Sequence, residues 1–196
     1  MKIDLTEIYK GLDEWRAERG ITAESQKTGY IVNVMEELGE LAEAIRNDEN
    51  WATCDLQYFK EHKQAAKYEI IDALCDIAIL TINAGADIRD EYKPLSIDTT
   101  DTFSDLNCLL LYASTFDFKK ILLNCAVLCE YCGFNFEIAM LETIKEISSR
   151  TGSYDKNVKK WVKDSSDEAR AKWYKADYER ARLYKRGFSA NIVCCG

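Results

Sequence analysis

Between Tyr68 and Ile88 the chain carries no lysine or arginine. The run is apolar apart from a few acids and amides, chiefly Glu69, Asp72, Asp76 and Asn83. On a helix turning ~100° per residue these four fall within roughly 60° of one another. Ile79 and Leu80 border that stripe, and the rest of the circumference is apolar. A helix that is apolar nearly all round is one that other helices surround. The stretch therefore predicts a central helix, from about Glu61 to Ile88, that carries its acids inward with it.

The remainder of the chain suits a helical bundle. One proline, Pro94, and nine glycines leave few chain breakers in 196 residues. No alternating strand pattern with an Asn-Gly or Asp-Gly turn is present. Leu5, Ile8, Leu12 and Trp15 recur at helical spacing and Gly20 follows, which predicts a first helix over 5–19. Trp15 is expected in the core. Residues 21–27 read as a polar connection. A second helix, over 28–46, has Ile31, Val34, Leu38, Leu41 and Ile45 as its stripe. Residues 51–59 read as a loop or short helix with aromatic anchors, and 90–101 as a linker. Thr102 or Ser104 is placed to cap a helix over 106–112. Residues 116–131 form an apolar helical run stopped by Gly133. Asn135 is placed to cap a helix over 136–149. A polar stretch, 154–163, and a last charged helix, 166–185, complete the reading. The expectation is one all-α domain: a core over 5–90, extra helices over 102–150 and a C-terminal arm over 151–196.

The formal net charge of -8 would repel the phosphates of a nucleic acid or an anionic membrane, so neither is an expected partner. The first residues are charged at once, and no apolar run approaches a bilayer-spanning length. These features point to the cytoplasm, where the eight cysteines would stay thiols. Cys129 and Cys132 form the one Cys-x-x-Cys spacing, and His62 is the one histidine. That is too few ligands for a structural zinc site, so the cysteines read as small buried hydrophobes. His62 reads as a surface residue.

Two acidic clusters remain to be explained. In the second helix Glu36, Glu40 and Glu43 lie opposite Leu38, with Glu37 on the flank. Glu43 has Arg46 nearby and fits a solvated face. The stripe of the third helix does not, because it has no neighbouring cation along its own helix. Like charges at i+3 and i+4 repel by about 0.2–0.5 kcal/mol per pair even when exposed. Buried, they need protonation or a cation. Hard carboxylate oxygens in this number suit Mg²⁺, with Mn²⁺ the other candidate. Mg²⁺ completes its shell with water and phosphate oxygens, which points to a phosphorylated substrate.

Glu36-Glu37-Leu38-Gly39-Glu40 resembles the Glu-Glu-x-x-Glu motif of the all-α nucleoside triphosphate pyrophosphatases, the superfamily of MazG-like proteins, dimeric dUTPases and phosphoribosyl-ATP pyrophosphohydrolases. Glu69-Ile70-Ile71-Asp72 resembles its second motif, Glu-x-x-Asp. The resemblance covers residues 5–84. It implies Mg²⁺-dependent hydrolysis of a (d)NTP, in the manner of a dUTPase or a broader MazG-like enzyme, to the monophosphate and pyrophosphate. Carried over, the metal-ligand positions are Glu36, Glu37, Glu40, Glu69 and Asp72, with Glu37 and Glu40 also catalytic. MazG-like helices often place an asparagine seven residues after the motif aspartate. Here Asn83 stands seven after Asp76, so Asp76 is the alternative ligand and Asn83 a substrate-binding candidate. No glycine-rich phosphate loop exists, so basic side chains must share the phosphates with the metal. Lys27, Lys145 and Arg150 are the basic candidates, and Gln26 with Lys27 stands where some members of the family place nucleotide contacts; exposed helix-end residues are the plain alternative. The resemblance also implies a homo-oligomer, a dimer or a tetramer. The alternative reading is that the added helices complete the bundle within one chain. The competing functional reading is a non-catalytic module that binds Mg²⁺ and nucleotide for regulation or interaction.

Overall fold

The computed structural model describes residues 3–47, 64–85, 106–155, 157 and 160–183. Helix α1 spans Thr6–Arg19 and α2 spans Ala23–Asn47. Leu5, Ile8 and Leu12 are buried, as the spacing predicts. Gly20 ends α1 at φ 61°, a left-handed turn that glycine adopts without a Cβ penalty. Helix α2 begins five residues before its expected start. The cause is a reciprocal cap: the Ser25 N–H donates to Thr22 Oγ1 at 3.2 Å, and the Thr22 N–H donates to Ser25 Oγ at 3.3 Å. That exchange satisfies two orphan donors of the first turn.

Helix α3, Gln64–Asn83, is the central helix the sequence calls for. Ile70, Ile71, Leu74, Cys75 and Ala78 are fully buried at successive angles around it. It packs against α1, α2, α5 (Phe118–Tyr131) and α6 (Phe136–Ser149). Helix α4, Leu106–Ser114, packs on α2 and α5. A joint separates α4 from α5, so the expected helix over 116–131 starts two residues late. Phe116 adopts φ 55°, and Asp117 caps α5 by accepting from the Lys120 N–H at 3.3 Å. The Phe116 ring lies 5.9 Å from Tyr30 and 6.0 Å from Phe118. Asn135 caps α6 by accepting from the Ile138 N–H at 2.9 Å, and Gly133 precedes it at φ 87°. Cys75, Cys125, Cys129 and Cys132 are buried free thiols where α3 meets α5. Trp15 packs against the core and donates from Nε1 to the Ile147 carbonyl at 3.3 Å.

The last third departs from the all-α expectation. Strands β1, Gly152–Asp155, and β2, Lys160–Lys163, form an antiparallel hairpin. Its pairs are directly opposed, Gly152 with Lys163 and Tyr154 with Trp161. A Cβ at Gly152 would come within 2.3 Å of the Val162 carbonyl oxygen, which is why glycine stands there. The expected helix over 166–185 is replaced by one turn, α7, Asp167–Arg170, an extended arm and a 3₁₀ turn at Tyr178–Ala181. Ala169, Tyr178 and Ala181 are its buried anchors, too widely spaced for one helical stripe. Side chains of α6 satisfy the arm's backbone instead. Tyr174 N–H donates to Ser149 Oγ at 2.8 Å, and Ala176 N–H to Glu146 Oε2 at 2.9 Å. Among the described residues no helix is long and apolar enough to cross a membrane. Helix α3 ends at Asn83 rather than Ile88, with Gly85 turning the chain at φ 106°; the readings of 51–59, His62, the 90–101 linker, the caps at Thr102 or Ser104 and the first expected residues of α3 lie outside the described residues.

Candidate functional site

Helices α2 and α3 pack along their length, with Val34, Leu38 and Leu41 facing the same core as Ile70, Leu74 and Ile77. This pairing fixes where the acids go. Glu37 precedes core residue Leu38 and is half-buried, while Glu36 and Glu40 stay exposed on the outer flank. Asp72 and Asp76 are half-buried on the α3 stripe, one turn apart.

The three inner carboxylates act on one another. Burial pushes Glu37 up to about 7, and the charges of Glu40, Asp72 and Glu36 add to the rise, against Arg150. Burial raises Asp72 as well, opposed first by its hydrogen bond from Tyr178. Asp76 lies deepest and is raised well above the usual carboxylate range, by desolvation first and then by Asp72 and Glu37. The apolar walls and the like charges together favour protons on these groups. The site is therefore a half-buried carboxylate group short of positive charge.

The C-terminal end of α6 forms a third wall. Arg150 donates from Nη2 to Glu146 Oε1 at 2.9 Å, and its guanidinium lies 5.8 Å from the Trp173 ring centre. Its charge lowers Glu37, Asp72 and Asp76 alike. Arg19 of α1 holds this helix end, donating to the carbonyls of Ser148 at 3.1 Å and Arg150 at 3.2 Å. The guanidinium of Arg19 lies against both Trp15 and Trp161, 5.2 and 4.9 Å from their ring centres. The arm closes the remaining side. Tyr178 donates its hydroxyl to Asp72 Oδ1 at 2.5 Å, and Lys175 adds positive charge near the same carboxylate.

The remaining expected site residues divide. Glu69 is exposed on the outer part of the α3 stripe. Asn83 is buried, and its Oδ1 accepts from Arg16 Nη1 at 3.0 Å, so it binds α3 to α1. Lys145 pairs with buried Glu142 at 2.6 Å, one turn of α6 away from Glu146. Gln26 is half-buried and Lys27 exposed, the latter reaching over Gly85. Glu146, Lys175 and Tyr178 join the site without having been singled out in the sequence. A spacing rule could have flagged Glu146, four residues before Arg150; nothing local flags Lys175 or Tyr178. An open cleft of ≈ 450 Å³ lies elsewhere, against Asp4, Tyr9, Lys10 and Asp13.

Among the described residues, no three His, Cys, Asp or Glu side chains form a ready-made metal cage. The donor set of Glu37, Asp72 and Asp76 is nonetheless all oxygen and deficient in compensating charge, which fits a hard divalent cation. Compared with known proteins, the chain matches no family model, no curated protein and no solved structure.

Proposed function

We propose that this chain is a Mg²⁺-dependent nucleoside triphosphate pyrophosphohydrolase of the all-α, MazG-like type, converting a (d)NTP to the monophosphate and pyrophosphate. The observation that supports it best is the packing of α2 on α3, which puts half-buried Glu37 within electrostatic reach of half-buried Asp72 and Asp76, from two separate motifs. The two motif-like segments supply the same reading from the sequence.

Glu37, Asp72 and Asp76 would hold the cation on the inside, with Glu36, Glu40 and Glu69 at the exposed rim. When bound, Mg²⁺ supplies neutralisation of the triphosphate charge and a more acidic water. Arg150 and Lys175 are placed to attract phosphate oxygens from the α6 side. Glu37 sits at the boundary between the buried acids and solvent. Its carboxylate is placed to orient, or take a proton from, water attacking phosphorus. The same reading has the chain working in the cytoplasm as a homo-oligomer. The exposed apolar side chains of Ile31, Val32 and Met35 along α2 support a second copy as partner.

A screen of pyrophosphate release over NTPs and dNTPs, with and without Mg²⁺, tests the activity. Release with at least one nucleotide is expected, lost in Glu37→Gln and Asp72→Ala. Absence of turnover across the panel would sink it. Stabilisation by Mg²⁺ plus nucleotide without product would instead identify a non-catalytic binding module.

A further inference from the structure

Tyr178 comes to Asp72 from 106 residues away in sequence, out of a part of the chain that the motifs do not touch. The residue is 6% exposed, and its hydroxyl has two partners. It donates to Asp72 Oδ1 at 2.5 Å and lies 2.9 Å from Thr143 Oγ1. Thr143 is itself within 3.0 Å of the Ala139 carbonyl oxygen. A tyrosine hydroxyl has one proton to give, and an ionised carboxylate can only accept. The tyrosine proton is thus committed to Asp72, and the threonine hydroxyl beside it has one proton to share between the Ala139 carbonyl oxygen and the tyrosine oxygen.

The arm holds the tyrosine firmly on both sides. Ahead of it, Ala176 N–H donates to Glu146 and Asp177 N–H to Glu142 Oε2, at 2.9 and 3.3 Å. Behind it, Arg180 Nη1 donates to Glu142 Oε1 at 2.9 Å. The ring packs 6.3 Å from Tyr68, which in turn meets Phe134 edge-on at 5.8 Å. A hydroxyl fixed this way dictates the torsion of the carboxylate it binds. Asp72 Oδ1 accepts the tyrosine proton, and the carboxylate has a second oxygen, Oδ2, that this bond does not occupy.

We propose that Tyr178 is a positioning residue that aims Asp72 as a one-oxygen ligand for a divalent cation. This rests on the metal-site reading above. Groups that orient a ligand from behind commonly set metal affinity by 10–100-fold. The arm is then part of the site, although it lies outside the region of motif resemblance.

The test is calorimetric titration of the full-length protein with Mn²⁺ alone at pH 8, well below the melting temperature. Wild type, Tyr178→Phe and Thr143→Val are compared. Tyr178→Phe keeps the ring and removes only the hydroxyl, and should weaken Mn²⁺ binding about tenfold. Thr143→Val leaves Tyr178 in place but frees its hydroxyl to turn, and should weaken binding less, in the same direction. A tyrosine needed for packing alone would shift the metal-free melting temperature and leave affinity unchanged. Unchanged affinity in Tyr178→Phe therefore overturns the positioning role while the metal site stands. Where Tyr178→Phe does not fold, Thr143→Val decides, and wild-type affinity there overturns the proposal. A wild-type chain that binds no Mn²⁺ overturns the metal-site reading itself.

Discussion

Asp76 is the residue at which stability and proposed function pull hardest against each other. It is deeply set, and burial with the charges of Asp72 and Glu37 opposes its ionisation. An amide has the same shape and no charge to desolvate. Asp76→Asn is therefore expected to raise the metal-free melting temperature at pH 8 and to abolish stabilisation by Mg²⁺; a scan with and without the ion reads both. The wild-type chain should show the same conflict as a pH dependence. Glu37 has a folded value of about 7 against an ordinary 4.5. Across that window the folded chain binds more protons than the unfolded chain, so metal-free stability falls as pH rises from about 4.5 to 7. Mg²⁺ should flatten the slope, because a cation replaces the protons. Urea unfolding at several pH values, with EDTA or with Mg²⁺, measures it. These acids were legible in the sequence because a helical wheel places Asp72 and Asp76 together. The partner of Lys145 was not legible. Its partner Glu142 lies one turn back and takes its ammonium at 2.6 Å, a pairing the sequence reading did not anticipate.

At the scale of elements, the site depends on where α6 ends. The last carbonyls of a helix have no intrahelical partner. Here Arg19, arriving from α1, satisfies those of Ser148 and Arg150. It is itself nearly buried and pressed between two tryptophans. Arg19→Ala should cost about 2–3 kcal/mol of stability through lost charged hydrogen bonds and stacking. Arg150 should lose its fixed position with it, a change chemical denaturation and Mn²⁺ titration would register together. Helices α1, α5 and α6 were legible from apolar spacing and from end signals such as Gly20, Gly133 and Asn135. The hairpin was not, because Gly152–Asp155 and Lys160–Lys163 are short, largely exposed and carry no buried face to generate alternation. The arm was read as a helix because its charged composition resembles a solvated one. Its backbone is satisfied by α6 side chains, and no local pattern records that.

At the scale of the molecule, the arm closes the seam between α3 and α6, and Glu142 is the point it closes on. Only 2% of this side chain is exposed, and it takes Lys145, Arg180, the Tyr174 hydroxyl and the Asp177 N–H. Burial alone would raise its carboxyl. The hydrogen bonds from Lys145, Tyr174 and the Asp177 backbone outweigh burial and hold it below the usual range. A depressed carboxylate contributes stability above its ordinary value of 4.5 and loses it as pH falls through the folded value. The site acids do the reverse, so the metal-free chain should be most stable in mildly acidic solution. A chain ending at Asp164 separates the two effects. It removes Tyr174, Asp177, Tyr178 and Arg180, leaving Glu142 with Lys145 alone. Stripping partners from a buried charge costs about 3–5 kcal/mol, a large share of the roughly 5–15 kcal/mol that holds a domain together. The truncated chain should melt far lower, and its acid-side loss of stability should shrink because Lys145 alone would be left to hold Glu142 down. Glu142→Gln in the full chain is the control: it keeps the arm but removes the charge, and should lose the acid limb with a smaller drop in melting temperature. Equal melting of truncated and full chains would show that the arm lies on the bundle without holding it.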